Sequence, residues 1–218
     1  MKWGVILIVI AAAACSPKPL REFPVGLLAP VSLRVAVEAH RLGLEIAPQA
    51  PLGAAEVSAA FPVKKGDEVV ADSARLRFSI ARAVVEGSSG VFLRLPRTPA
   101  GRDLLEYVEE WQAVERAARE ILAMRPIIQG GTAASTPFVV PAGIELRAWA
   151  FRGRRYVLLV NSSEAPLPLQ QEGIASWRAL FTVRSDARQV LTPCAADLCL
   201  PPGGVLWLEG RLLPNIFP

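Results

Sequence analysis

The stretch that decides the fold runs Ile144-Glu145-Leu146-Arg147-Ala148-Trp149-Ala150-Phe151, then Arg152-Gly153-Arg154-Arg155, then Tyr156-Val157-Leu158-Leu159-Val160-Asn161. Two apolar, β-forming runs flank a short basic segment with one glycine, the pattern of two strands joined by a tight turn. Successive side chains of a strand point to opposite faces. With a two-residue turn at Gly153-Arg154, Phe151 falls opposite Tyr156 and Trp149 opposite Leu158. One face then carries Arg147, Trp149, Phe151, Tyr156 and Leu158. The other carries Leu146, Ala148, Ala150, Val157 and Leu159. A sheet wetted on one side alternates apolar with polar residues, and this one does not. The expectation is a hairpin covered on both sides. The aromatic face has a second reading, a ligand surface on which Arg147, Trp149, Phe151 and Tyr156 stack against a sugar.

Working outward, the chain changes character on either side of residues 127–137. Downstream lie short strand-like runs at Phe138–Val140, Ile144–Phe151, Tyr156–Asn161, Leu180–Val183, Gln189–Leu191 and Val205–Glu209, with turn residues between them, as in an antiparallel sandwich. Upstream, short apolar runs alternate with helical periods. Val25–Ala29 reads as a strand. Ser32 caps a helix that ends near Leu42 at Gly43. Leu44–Ala47 is a second strand, and 49–67 is loop-like with a turn of helix at Ala54–Ala60. Asp67 caps a helix to Val85, with Val69, Leu76, Ile80 and Val84 on one stripe. Val91–Leu93 is a third strand. The strongest helix covers Arg102 to Met124, with Leu104, Val108, Trp111, Val114 or Glu115, Ala118 and Leu122 on one stripe and Pro126 as its terminator. Strand–helix alternation implies parallel strands with right-handed crossovers. The fold class expected is α/β followed by all-β. Residues 25–126 form the α/β part, and an antiparallel β-sandwich at 137–213 packs on it.

The first residues read as an address. Met1-Lys2-Trp3-Gly4 precedes an aliphatic run, Val5 to Ile10, then Ala11 to Ala14 and Cys15. A short basic start, an apolar run too short to span a bilayer and a small-residue cleavage site make an export signal. Ala12-Ala13-Ala14-Cys15 resembles the lipobox of bacterial lipoproteins, although Ala12 stands where that family most often has Leu. The resemblance implies a signal peptide at 1–14, lipid on Cys15 and a tether over 15–24. Pro17 and Pro19 keep that tether extended. Ser16 after the cysteine implies an exported protein anchored to the bacterial envelope, at the outer membrane or the periplasmic face. Once Cys15 is lipidated, Cys194 and Cys199 remain, and an even pair in an oxidising compartment bridges at a hairpin tip.

Two further resemblances concern the body of the chain. Ala83-Val84-Val85-Glu86-Gly87-Ser88-Ser89-Gly90-Val91-Phe92-Leu93-Arg94, followed by the long helix, resembles the last helix–strand step of a (β/α)8 glycoside hydrolase barrel. The hairpin and Pro201-Pro202-Gly203-Gly204-Val205-Leu206-Trp207-Leu208 resemble the β-sandwich that trails such barrels. The likeness spans about residues 33–213. It implies a partial (β/α) barrel-like segment, because a full barrel has eight strands and this chain has room for about three.

The chemistry is sparse. Lys+Arg exceeds Asp+Glu only by 24 to 20 in 218 residues, and 20 of those basic residues are Arg, spread evenly, so nucleic acid is not an expected partner. The Arg152, Arg154 and Arg155 group reads as a solvated hairpin tip. The one histidine, His40, stands beside Arg41 at a helix end, without an orienting carboxylate or a nucleophile. No phosphate-loop or dinucleotide motif occurs. Two cysteines without a nearby His or third Cys do not close a zinc site. Glycosidases of the resembled kind use paired carboxylates at strand C-terminal ends. Glu45 lies within a strand, Arg94 ends another, and Glu56, Asp67 and Glu68 fall in a loop and a helix start. No catalytic residue, metal or cofactor is therefore assigned. The expected protein is non-catalytic, held at a membrane by lipid, with a carbohydrate or protein partner. The alternatives are a truncated or partner-dependent glycoside hydrolase-like enzyme, or a carbohydrate-binding module.

Overall fold

The computed structural model describes residues 22–59, 73–95, 103–135, 139–169, 177–181, 192–194 and 197–211. The chain opens with β1 (Val25–Leu28), α1 (Leu33–Leu42) and β2 (Glu45–Ala47), then β3 (Ala55–Ser58), α2 (Ser73–Val85) and β4 (Val91–Arg94). A 3-10 turn at Leu104–Glu106 leads into α3 (Val108–Gly130). Eight short strands follow among the described residues: β5 (Thr132–Ala133), β6 (Ile144–Phe151), β7 (Arg154–Asn161), β8 (Leu167–Leu169), β9 (Arg178–Leu180), β10 (Thr192–Cys194), β11 (Asp197–Leu200) and β12 (Val205–Arg211).

The helices begin and end where local chemistry dictates. Ser32 caps α1 by accepting from the Val35 amide at 3.1 Å, and Gly43 closes it in the left-handed region at φ 81°. Pro126 does not end the long helix, contrary to expectation: α3 continues through it to Gly130. Proline removes one helical hydrogen bond. Burial of Met124 and Ile127 on the inward stripe holds both sides of the interruption in place. The stretch 54–60 also departs from expectation. It forms β3, a fourth parallel strand, rather than a turn of helix. Its single buried side chain within the strand, Val57, faces the helices, which a periodicity search over so few residues does not detect.

β1–β4 pair in parallel in the order β2-β1-β4-β3. The last strands of a barrel read in sequence would stand in consecutive order. Here β1 lies between β2 and β4, the arrangement found across the seam where a closed barrel's last strand meets its first. Val25, Leu27, Val91, Leu93 and Val57 face the helices and share one core with Leu76, Ile80, Val114, Ala118 and Ile121. Phe92 alternates to the opposite face and is fully buried there. Its ring lies over Gly26, where a β-carbon would meet Phe92 Cε1 at 2.6 Å.

The remaining strands form two antiparallel sheets, β5-β6-β7-β12-β9 and β10-β11-β8. In the expected linker, 127–137, lie the end of α3 and β5, whose Thr132 and Ala133 pair with Ala150 and Trp149. Val139–Val140 is not strand, Leu180 ends β9, and 182–191 lies outside the described residues. The hairpin turn sits at Arg152-Gly153, one residue earlier than expected, with φ of 48° and 73°. Positive φ at both central residues is the mark of the turn that matches strand twist. The register therefore becomes Trp149 opposite Tyr156 and Phe151 opposite Arg154. That is a two-residue shift, so the membership of each face is unchanged.

Both faces of this hairpin are covered. Trp149, Leu158 and Val160 join Val205 and Trp207 in the core shared with α2 and α3. Ala148, Val157 and Leu159 belong to a second core with Leu169, Trp177, Leu200, Leu206 and Leu208, between the two antiparallel sheets. Trp149 and Trp207 stack with centroids 5.9 Å apart. Polar contacts fasten the layers. Arg147 Nη1 donates to Val84 O at 2.8 Å, and Arg77 Nη1 to Val205 O at 3.0 Å. The Arg77 Nε also meets the Glu120 carboxylate, with a closest approach of 2.7 Å. The α/β layer and the sandwich are thus joined by a continuous core.

Trp149 is 3% exposed at the centre of that junction. Trp149→Ala is expected to cost ~3–5 kcal/mol, the range for deleting a large buried aromatic side chain. Chemical denaturation of the variant beside the parent chain measures it.

Candidate functional site

In parallel α/β sheets, ligands gather at the C-terminal ends of the strands. Here that end carries Ser58, Arg94, Ser32 and Asp103. Arg94 ends β4 and stands beside β3 in register with Ser58, while Glu56 pairs with Phe92 one step back on the same face. Arg94 Nε donates to Glu56 Oε1 in a close ion pair. The hydrogen bond from Arg94 lowers the Glu56 carboxyl below its ordinary value, and the same bond raises Arg94.

Asp103 is held by its surroundings in the same way. Ser32 Oγ donates to Asp103 Oδ2 at 2.6 Å across 71 residues of sequence. The Leu105 amide donates to Oδ1 at 3.1 Å, so Asp103 caps the 3-10 turn. The Ser32 bond is the largest influence that lowers the Asp103 carboxyl, with the Leu105 amide and the Arg34 charge adding to it. Ser32 thus both caps α1 and ties the start of α1 to the segment leading into α3. Sequence reading identified Ser32 as a cap but not its bond to Asp103, since nothing local joins two residues so far apart. Glu56, expected in a loop, lies within β3.

The other candidates disperse. His40 is exposed near the end of α1, and Glu45 is exposed on the edge strand β2. Asp67, Glu68 and Cys15 lie outside the described residues. A groove of about 430 Å³ runs between β3 and α2, lined by Glu56, Ser58, Phe78, Arg82 and Glu86 among others. Arg82 is committed to Glu86 at 2.8 Å. Among the described residues, no three His, Cys, Asp or Glu side chains are placed to hold a metal. Nor is any helix among them long and apolar enough to cross a membrane.

The aromatic face of the hairpin is a packing surface. Trp149 is buried, and the Arg147 guanidinium sits 5.5 Å from its ring centroid while bonding to α2. Phe151 packs on Gly130 at the end of α3. Tyr156 Oη donates to Glu209 Oε1 at 3.2 Å, and burial, then the Glu209 charge, raises its phenol. At the centre of the expected ligand face Trp149 is covered by α2 and α3, while Arg147, Phe151 and Tyr156 around it are half-buried.

Cys194 and Cys199 fall on neighbouring antiparallel strands, with Cys194 opposite Asp197 and Cys199 opposite Thr192. Cys199 is 2% exposed, and the Cys194 side chain lies outside the described residues.

No protein-family model matches this chain, and no curated protein does. Solved structures with a partly similar fold include glycoside hydrolases. A GH30 endoxylanase from Clostridium papyrosolvens C71 is 11% identical with a TM-score of 0.39, over 81% of this chain and 44% of the enzyme. AmyP in complex with maltose is 11% identical with a TM-score of 0.44, over 84% and 45%. The family 30 subfamily 8 xylanase Xyn30A from Clostridium acetobutylicum is 11% identical with a TM-score of 0.40, over 88% and 49%. The chain spans less than half the length of each of these three.

Ser32→Ala removes both the α1 cap and the leading influence on Asp103. The variant should lose ~1 kcal/mol at neutral pH, and its Asp103 carboxyl should titrate closer to its ordinary value. Because the folded-state value is depressed, this stabilisation is present above the unfolded carboxyl's titration and is lost as pH falls through the folded value. NMR titration of Asp103 and denaturation at neutral and acidic pH measure both effects. A deficit that grows on acidification contradicts the assignment.

Proposed function

We propose that this is a lipid-anchored protein of the bacterial envelope with a binding or structural role and without catalysis of its own, related by descent to carbohydrate-active proteins. The observation that carries the anchor is the run of small residues ending in Cys15 directly after a short aliphatic segment. Two processes follow from that sequence: cleavage before Cys15 and acylation of Cys15. One chain anchors only marginally, so stable attachment takes more than one acyl group.

The non-catalytic reading is supported by how the carboxylates at the sheet's C-terminal end are engaged. Glu56 is committed to Arg94, and Asp103 to Ser32 and the Leu105 amide. Both carboxyls are held towards the charged form. A glycosidase acid needs the opposite shift, a raised value that keeps its proton near neutral pH. The descent from carbohydrate-active proteins rests on the helix–strand step at Ala83–Arg94 and the trailing sandwich. A partner-dependent enzyme is the second reading, favoured by the strand order β2-β1-β4-β3, which leaves both β2 and β3 as edges. Such an enzyme would take its acid pair from another chain.

We also place a disulfide between Cys194 and Cys199. Support comes from the burial of Cys199 and the pairing of the two strands that carry these residues.

Two measurements test these assignments. Metabolic labelling with a fatty acid should mark the parent chain, and Cys15→Ala should abolish the label and release the protein from membranes; an unlabelled parent chain overturns the anchor. In exported protein, Cys194 and Cys199 should resist alkylation until a reductant is added, and immediate alkylation of both under native and unfolding conditions sinks the pairing.

A further inference from the structure

The N-terminal end of the parallel sheet gathers three features that local packing alone does not account for. The first is where the chain joins the fold. Pro24 O accepts from the Val91 amide at 2.9 Å, which fixes the segment before β1 against the start of β4. The second is an apolar apex. The connection from β2 to β3 turns at Pro51-Leu52-Gly53, and Leu52 is fully exposed, at 104% of its reference area. The turn is held rather than loose. The Ser89 amide donates to Gly53 O at 2.9 Å, and the Ala54 amide to Pro51 O at 3.0 Å. Gly90, next to Ser89, lies so close to Pro24 that a β-carbon there would meet Pro24 O at 2.7 Å. Leu52 and the start of the fold are therefore joined through two adjacent residues, Ser89 and Gly90.

The third feature is cationic. With its amide turned so that the oxygen faces Phe23, Gln129 accepts from the Phe23 amide at 2.7 Å. The next residue, Gly130, packs on the Phe151 ring, and the Arg152 guanidinium lies 5.1 Å from that ring's centroid. The basic tip of the β6–β7 hairpin is thus linked to Phe23 through Gln129, Gly130 and Phe151. An exposed leucine held at a rigid turn fits the boundary of a lipid leaflet, where apolar groups enter the acyl edge, and a basic hairpin tip linked to Phe23 suits the headgroups.

We infer that this end of the molecule, with Leu52 at its apex, is the surface that lies against the lipid leaflet. The inference rests on the proposed lipid at Cys15. The seven residue steps from Cys15 to Glu22 reach about 25 Å at full extension. A tether so short, with Pro17 and Pro19 within it, holds near the bilayer the end of the fold at which it attaches. The C-terminal end of the sheet, with Ser32, Asp103, Glu56 and Arg94, then faces away from the membrane.

The test uses the full lipidated chain, reconstituted in vesicles of phosphatidylethanolamine and phosphatidylglycerol. An environment-sensitive fluorophore is attached at Leu52→Cys or, as the control at the far end, at the exposed Leu33→Cys, without reductant so that other cysteines stay unlabelled. The Leu52→Cys label should shift to the blue and be quenched by nitroxide-bearing lipids, while the Leu33→Cys label shows neither effect. The mass of the Cys15 peptide reports the lipid separately. A lipidated, vesicle-bound chain whose label at position 52 stays aqueous overturns this orientation and leaves the anchor standing. A chain that carries no lipid and does not bind vesicles overturns both.

Discussion

The stack of Trp149 on Trp207 is the contact on which the architecture depends. Both rings project from the five-stranded sheet towards α2 and α3, and both are nearly or fully withdrawn from solvent. Antiparallel sheets of this size usually keep one wet face. This one has none over β6, β7 and β12, because Ala148, Val157, Leu159, Leu206 and Leu208 occupy the opposite core. The sheet is the middle layer of the molecule. Removing the helices would expose a broad aromatic face, and removing the small β10-β11-β8 sheet would expose an aliphatic one. Each outer layer therefore stabilises the middle layer, and the middle layer in turn holds the helices against β1 and β4.

Polar contacts across this junction select its geometry more than they strengthen it. A buried ion pair is costly to desolvate and returns energy only with good hydrogen-bond geometry. The Arg77–Glu120 pair meets that condition in part, with Arg77 Nε against both carboxylate oxygens and Nη1 on Val205 O. It ties α2 to α3 and both to the first residue of β12. Arg147 acts similarly on Val84 O, at the end of α2. A helix pair sliding along the sheet would break all of these bonds, whereas the apolar contacts alone would tolerate a small slide.

What the sequence made legible follows from the length scale of each signal. The two apolar faces of residues 144–161 were readable because alternation over a dozen residues is unambiguous, and a register error of two leaves the faces intact. Leu76, Ile80 and Val84 on α2 and Trp111 and Ala118 on α3 were readable for the same reason, whereas Val108, expected on the same stripe, is exposed at the start of α3. β3 was not readable, since four residues with one buried side chain carry almost no period. Pro126 is a local breaker in sequence, and the tertiary burial of Met124 and Ile127 that offsets it has no local signal. At the candidate site, Ser32 was visible as a cap, but its bond to Asp103 and the Glu56–Arg94 pair are products of topology. They require knowing that the segment before α3 returns to the start of α1, and that β3 lies beside β4.

The parallel sheet raises the question of whether four strands can stand without the rest of a barrel. A closed barrel fills its interior with side chains from every strand. In this chain the face away from the helices has its own buried residues, Phe92 at 0% and Leu28 at 4% exposure. Gly26 is the reason Phe92 fits. Any larger residue there would collide with the Phe92 ring and with Glu45 O, each within about 2.6 Å of the added carbon. The glycine lets an aromatic ring lie flat across the neighbouring strand, so one side chain covers two strands. The connection from the end of β2 to the start of β3 also spans the full width of the sheet, joining opposite edges in only seven residues. A chain segment that short draws β2 and β3 together and limits how far the sheet can open. Phe92 and Leu28 cover the centre of that face, Glu45, Glu56, Ser58 and Arg94 leave its margins open to solvent, and the short β2–β3 connection ties the two edge strands together.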